Sequence, residues 1–164
     1  MILNVHERTY PVDPARLGDL LDRVADRNSP LWPPSWPPMI LDRPLSVGAR
    51  GGHGPIRYHC TAYEPGHLAE FTFNLPIFKG THTFEVLDNT LRHTIHAQPR
   101  GLGHVAWPLA IRHLHDACLE DLLDHAADSL GHPPAHRARW SPYVRFLRHV
   151  APRPQRRSGA TAPH

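Results

Sequence analysis

The feature that most constrains the fold is a long amphipathic segment near the C-terminus. At the α-helical period of about 3.6 residues, the apolar side chains of residues 111–130 fall on one side. The opposite side collects polar residues, namely His113, Asp116, Glu120, Asp121 and Asp124. Pro108 fits only a first turn, and Gly131 followed by two prolines is typical of a helix end. The pattern predicts a helix over 108–130, with one side on a core and the other in water.

One residue of this segment departs from the pattern. His115 lies near the middle of the apolar side, close to Ile111, Leu119 and Leu122 on the helical wheel. A polar, titratable side chain is therefore predicted to point into the interior.

Length and charge bound the class of protein. A chain of 164 residues is most simply one domain, and no apolar stretch approaches the ~18 residues of a membrane span. The N-terminus lacks a basic and then apolar run, so we expect a soluble, cytoplasmic protein. Residues 132–164 hold seven arginines and no acidic residue, whereas residues 1–131 hold 11 basic and 15 acidic residues, a net charge of −4. We therefore expect no nucleic-acid binding by residues 1–131.

The N-terminal third predicts a strand over residues 2–10, a helix over 14–27 and a strand over 45–54. The proline-rich stretch 29–39 between them excludes regular structure, yet it contains Trp32 and Trp36. Two interpretations remain for it: a loop pinned to the core by its tryptophans, or a lid over the mouth of a pocket.

Two antiparallel hairpins follow. A turn over residues 64–67 joins two predicted strands and pairs Tyr58 with Phe73, Cys60 with Phe71, and Ala62 with Ala69. These side chains share one face, whereas polar residues alternate onto the other. The agreement between turn and pattern predicts a half-buried sheet.

The second hairpin turns at Asp88-Asn89. Its register sets Phe84 opposite His93 and His82 opposite Ile95. Apart from the two histidines this face is apolar, and the register makes His82 and His93 diagonal neighbours whose side chains meet.

Residues 132–164 are rich in Pro, Arg and His and predict a mostly disordered basic tail. Within it, residues 142–150 have the spacing of a short helix. This helix either docks back on the domain or contacts a membrane surface or a protein partner, and plain disorder is the third interpretation.

The order of strand, short helix, irregular loop, antiparallel strands and long C-terminal helix resembles the helix-grip fold of the START-like superfamily (SRPBCC). That superfamily includes polyketide cyclases/dehydratases and lipid-transfer domains. The likeness covers residues 1–131, and short motifs are similar to small bacterial members of the superfamily: Trp-Pro-Pro-Met at 36–39, Gly-Gly-His-Gly-Pro-Ile-Arg-Tyr at 51–58, Gly-Thr-His at 80–82, Leu-Arg-His at 91–93 and Leu-His-Asp at 114–116. The resemblance implies an α+β fold in which a curved antiparallel sheet wraps around the long helix and leaves a cavity.

The resemblance also implies a function, the binding of a small hydrophobic molecule, lipid-like or polyketide-like. The side chains expected around it come from the loop, the sheet and the helix: Trp32, Trp36, Tyr58, Phe71, Phe73, His82, Phe84, His93, Ile95, Ile111, His115, Leu119 and Leu122. One alternative is a cyclase/dehydratase-like enzyme that uses His115 and His93 as acid and base. The other is a partner-binding or membrane-binding protein that acts through the basic tail.

In this fold His82, His93 and His115 would line one space. Three interpretations stay open: structural histidines that bond to one another, to backbone or to buried water, a site for ligand recognition or proton transfer, and a tri-histidine metal site. We expect no cofactor and no metal, because no carboxylate or cysteine with ligand spacing supports the third.

Overall fold

The structure is a computed structural model that describes residues 1–150. Its framework is one seven-stranded antiparallel sheet in the order β1-β7-β6-β5-β4-β3-β2. The strands are β1 (Ile2–Thr9), β2 (Ile40–Leu41), β3 (Arg50–His53), β4 (Ile56–Glu64), β5 (Leu68–Phe73), β6 (Phe78–Leu87) and β7 (Thr90–Pro99). Each strand from β2 onward pairs with its neighbour in sequence, whereas β1 crosses the molecule to pair with β7. The N-terminal strand therefore forms the sheet edge beside the last strand.

The second hairpin, β6 and β7, has the predicted register. Phe84 lies opposite His93 and His82 opposite Ile95. Asp88 in the turn has a positive φ of 51°, which short polar residues tolerate better than most. The predicted faces of both strands are therefore confirmed.

The first hairpin, β4 and β5, departs from its predicted register at one end. Tyr58 lies opposite Phe73 and Cys60 opposite Phe71, as predicted. The predicted pairing of Ala62 with Ala69 is wrong, because a bulge after Cys60 shifts Ala62 opposite Glu70. A bulge places an extra residue in one strand, and hydrophobic alternation alone does not reveal it.

The strand predicted over 45–54 is shorter, because β3 begins only at Arg50. Before it the chain turns at Gly48, whose φ of 89° suits glycine. The first helix, α1 (Pro14–Asp22), is capped by the Asp13 side chain and ends before the predicted residue 27. Separate turns continue beyond it, and Val24 stays fully buried.

The long C-terminal helix begins earlier than predicted. It comprises α2 (Gly103–Ala106), a π-helical turn (Trp107–Ile111) and α3 (Arg112–Ser129). The predicted start at 108 is wrong because Pro108 lies inside the π-helical turn, where the wider backbone accommodates its missing N–H. A side chain at Gly103 would come within 2.2 Å of the Ile77 carbonyl oxygen, so glycine allows the helix to start against the sheet. Within residues 1–150 no helix is both long and apolar enough to cross a membrane.

The polar side of α3 is not simply in water. Asp116, Glu120 and Asp124 reach side chains of β1, and Asp124 is only 5% exposed. The expectation of a solvated face is therefore wrong here, because the edge strand β1 presents Asn4, His6 and Arg8 toward this side of the helix.

After α3 the chain reverses at Gly131 and returns along the helix. Arg137 binds Asp128, the backbone N–H of Ala138 binds Asp124, and Trp140 binds Asp121. Helix α4 (Pro142–Val150) then docks on the π-helical turn, where the Tyr143 hydroxyl donates to the Leu109 carbonyl. Residues 151–164, the rest of the tail predicted to be mostly disordered, lie outside the described residues.

The core has two parts. The larger part joins α1, α3 and the inner face of the sheet, and it fully buries Leu21, Phe71 and Leu122. A smaller part lies under the π-helical turn around Phe78 and Ile95. A cavity lies between these two parts of the core.

Candidate functional site

A cavity of about 800 Å³ lies between the inner sheet face and the long helix. Most of the predicted ligand-binding residues line it, namely Trp32, Trp36, Phe73, His82, Phe84, His93, Ile95, Ile111, His115 and Leu119. Tyr58, Phe71 and Leu122 do not. Each is at most 1% exposed and is covered by its neighbours in the core.

Sequence reasoning missed several parts of the wall. Phe78 and Trp107 close one end of the cavity, with ring centroids 6.0 Å apart. The sequence signal for Trp107 was weak, because this residue precedes Pro108, where the sequence pattern suggested the start of the helix. Helix α4 contributes Arg145, Arg148 and His149, which were assigned to a tail outside the domain.

The three predicted imidazoles lie together inside the cavity. Ring centroids are 5.5 Å apart for His82 and His93, and 5.1 Å apart for His93 and His115. His93 Nε2 lies 3.3 Å from His82 Nδ1, so one neutral ring donates a hydrogen bond to the other. His82 is also stacked between Phe71 and Phe73, at 5.1 Å from each ring. The hairpin register and the helical wheel thus converge on one cluster.

Several nitrogens of this cluster have no hydrogen-bond partner among residues 1–150. They are His82 Nε2, His93 Nδ1 and both ring nitrogens of His115. Burial lowers the pKa of all three histidines, and neighbouring imidazoles lower it further for His82 and His93, whereas Asp116 partly opposes the shift of His115. At neutral pH the cluster therefore offers neutral imidazoles, each able to accept and to donate a hydrogen bond.

A fourth histidine lies nearby on β3. His53 Nδ1 is 3.0 Å from the Tyr58 hydroxyl, and its ring packs on Trp32 at 4.9 Å. Burial, together with the charges of His115 and Arg57, lowers the pKa of His53 to about 3. His53 therefore forms part of the cavity wall beside the loop tryptophan.

Behind His115 a charged group links the helix to β1. His6 Nδ1 lies 2.9 Å from Glu120 Oε1, and His6 Nε2 lies 3.1 Å from Asp116 Oδ1. Both carboxylates accept, so His6 is an imidazolium. Burial alone would lower its pKa, but the hydrogen bonds to Asp116 and Glu120 raise it. Burial would raise the pKa of Asp116. Contacts with His115, His6 and Asn4 outweigh burial and hold this pKa well below its usual range.

Within residues 1–150, one set of three side chains brings its ligand atoms within 4.8 Å of one another, as a chelated metal would need. It consists of His6, His115 and Asp116. The three histidines considered from the sequence do not form such a set within these residues. The two ion pairs of His6 also account for that cluster without a metal.

The rim of the cavity carries a stacked group, which we call the cover: Trp36, Arg148 and Trp140. The Arg148 guanidinium lies 4.1 Å from the centre of the Trp36 ring and 4.0 Å from that of Trp140. Asp121 Oδ2 accepts from both indoles, at 2.7 Å from Trp36 Nε1 and 2.8 Å from Trp140 Nε1. One carboxylate on α3 thus ties the proline-rich loop to the returning tail.

Comparison with known proteins was made by sequence and by structure. No protein-family model matches the sequence, and no curated protein sequence matches it. Solved structures do match. A protein from Thermobifida fusca superposes with a TM-score of 0.60 at 14% identity, covering 84% of this chain and 100% of that one. The protein MLL2253 from Mesorhizobium loti superposes with a TM-score of 0.55 at 20% identity, over 79% of this chain and 97% of that one.

A plant enzyme is also similar in structure. Norcoclaurine synthase from Thalictrum flavum superposes with a TM-score of 0.59 at 11% identity, covering 79% of this chain and 86% of that one. At these identities the likeness concerns the fold alone. These structures are helix grips, so the resemblance seen in the sequence is confirmed at the level of the fold. The chain has the α+β helix-grip fold, a curved antiparallel sheet around a long C-terminal helix.

Proposed function

We propose that this protein binds a small, mostly apolar molecule in the cavity between the sheet and α3. The observation that carries the proposal is the cavity itself, about 800 Å³ and lined mainly by aliphatic and aromatic side chains. Protein interiors are otherwise close-packed, and ligand pockets commonly enclose about 300–1,000 Å³. A void of this size fits a ligand of lipid or polyketide dimensions.

The structural neighbours give further support by analogy. A point mutant of norcoclaurine synthase from Thalictrum flavum has been solved in complex with a transition state analogue. Because one fold hosts many functions, the cavity of this chain carries the proposal, and the likeness alone does not.

A neutral fluorescent probe tests the proposal. N-phenyl-1-naphthylamine, which brightens in apolar surroundings, should bind the wild-type protein saturably. Ile111→Trp, which enlarges a side chain of the wall, should weaken binding at least tenfold. The matched control is Leu109→Trp on the same π-helical turn, where the side chain is 59% exposed, and it should change binding less than twofold. Absence of saturable binding to the wild type, or equal weakening by both variants, contradicts the proposal.

Acid–base catalysis is a second candidate function, favoured by the imidazole nitrogens that lack partners within residues 1–150. His115 and His93 line the cavity, and both ring nitrogens of His115 and Nδ1 of His93 are buried without a partner within these residues. Their lowered pKa keeps them neutral, which suits the removal of a proton from carbon next to a carbonyl group. That step begins the aldol-type cyclisations of a cyclase/dehydratase-like enzyme.

Proton exchange provides the test. The protein should accelerate deuterium incorporation next to the carbonyl of 2-decanone in D₂O, followed by NMR. His115→Gln should abolish the acceleration while probe binding stays within twofold of the wild type, and His132→Asn at an exposed position should have no effect. Acceleration that survives in His115→Gln counts against a catalytic role, and the protein is then a carrier.

Contact of the basic tail with a membrane surface or a protein stays a third proposal. Helix α4 leaves Phe146 and Val150 more than half exposed, as a docking helix requires. Removal of the residues after Gly131 would also remove Arg148 of α4, which is part of the cavity wall. Charge reversal at the exposed Arg139 is the cleaner test, since it alters the tail alone.

A further inference from the structure

The rim of the cavity carries positively charged side chains. Helix α4 places Arg145, Arg148 and His149 among the lining residues. No aspartate or glutamate of residues 1–150 is among them. A cavity that is apolar at its centre and cationic at its rim differs from one built only for a hydrocarbon.

The hydrogen bonds of Arg148 are incomplete. Its Nη2 donates to the Ser35 carbonyl oxygen at 2.7 Å, and its guanidinium packs against the indoles of Trp36 and Trp140, which meet each other edge-to-face. Its Nη1 is buried and has no acceptor among residues 1–150. This nitrogen is therefore a buried donor at the cavity rim whose hydrogen bonds are unsatisfied within residues 1–150.

The nearest candidate counter-charge is already engaged. Burial lowers the pKa of Arg148, and the carboxylate of Asp121 opposes this shift. However, Oδ2 of Asp121 already accepts hydrogen bonds from both indole N–H groups. A guanidinium remains charged at all physiological pH values, and a buried N–H without an acceptor is unfavourable. A carboxylate that reached Nη1 would remove this penalty through a charge-assisted hydrogen bond.

We propose, on the basis of the cavity function proposed above, that the ligand is an amphiphile whose carboxylate binds Nη1 of Arg148 while its apolar body fills the cavity. Arg145 extends the same positive field at the rim. The cover then recognises the ligand as well as closing over it, and α4 is part of the binding site.

Two ligands that share one chain length separate the headgroup from the hydrocarbon. Decanoate and 1-decanol compete with N-phenyl-1-naphthylamine at pH 8, where the acid is ionised. Arg148→Gln should weaken decanoate binding at least tenfold and leave 1-decanol binding within twofold. Arg139→Gln removes the same charge from an exposed position of the returning tail, and it should change neither affinity more than twofold.

The outcomes are distinct. If 1-decanol binds the wild type and Arg148→Gln weakens decanoate no more than 1-decanol, the headgroup inference is overturned and the cavity function stands. This includes the case in which the substitution weakens both ligands, because Arg148 is then only a packing element of the cover. If the wild type binds neither ligand, the cavity function and the headgroup inference both fail. Retained 1-decanol binding shows that the variant is folded.

Discussion

Stability should fall when the pH is lowered from 7.5 to 5.5, because three buried imidazoles must stay neutral in the folded protein. His53, His82 and His93 are enclosed by the cavity wall, and burial followed by the charges of nearby basic groups lowers the pKa of each. For His53 the folded pKa is about 3. In the unfolded chain each of these side chains returns to its ordinary pKa of 6.5.

The direction and the size of this pH dependence follow from the linkage between proton binding and folding. A folded pKa below the unfolded one contributes stability that is present above pH 6.5 and is lost as the pH falls toward the folded pKa. At pH 5.5 the cost of holding one histidine neutral is about 1.4 kcal/mol, so three cost about 4 kcal/mol. His6 acts in the opposite direction. Although burial would lower its pKa, hydrogen bonds raise it, so its contribution is complete below pH 6.5 and is lost as the pH rises. It offsets part of the loss.

Urea unfolding at the two pH values measures the difference. His82→Phe keeps an aromatic ring between Phe71 and Phe73 and removes one titrating group, so the pH dependence should shrink by about 1.4 kcal/mol. The variant also leaves a nitrogen of His93 without its partner, but that loss affects both pH values and cancels in the difference. His132→Asn, at an exposed position, is the control and should keep the wild-type difference. A wild type equally stable at both pH values, or an unchanged difference in His82→Phe, refutes the reasoning.

Three further substitutions test the fold and the cover. Asp121→Ala removes both hydrogen bonds that hold the indoles of the cover, about 1–3 kcal/mol in all, and should speed amide hydrogen exchange in α4 by about tenfold or more. Gly80→Ala would put a Cβ 2.2 Å from the His96 carbonyl oxygen, so urea unfolding should show a loss of at least about 1–3 kcal/mol as β6 and β7 are forced apart. Leu122→Ala, in the core behind the cavity wall, should lose about 2–5 kcal/mol in the same assay while the folded protein binds the neutral probe with unchanged affinity.

The sheet and its histidines could be predicted because two independent signals agreed. The turn at Asp88-Asn89 fixed a register, and the alternation of polar and apolar residues selected the same one. Together they placed His82 beside His93, and the helical wheel added His115 on the facing helix. The same two signals agreed for the first hairpin, yet the bulge after Cys60 escaped prediction, because neither signal reveals an inserted residue.

The partners of His115 could not be predicted in the same way. The network of His6, Asp116 and Glu120 needs the pairing of β1 with β7, and those strands are separated by most of the chain. Local periodicity contains no information on such a pairing. A signal was nevertheless present, since Asn4, His6 and Arg8 put polar groups on one face of an edge strand, where they needed a polar surface opposite.

The position of the returning tail follows from the division of charge along the sequence. The division of charge, acidic over residues 1–131 and basic beyond, argued against nucleic-acid binding by the domain. The same division means that the acidic side of α3 attracts the chain that follows it, and Arg137 and Trp140 bind Asp128 and Asp121 of that side. An exposed ion pair adds little to stability, about 0–1 kcal/mol, so Arg137 can only guide the chain. The bonds between Asp121 and the two indoles are more shielded from water and hold the cover in place. Long-range charge therefore brings α4 back to the domain, and the partly buried contacts at the rim make it part of the cavity.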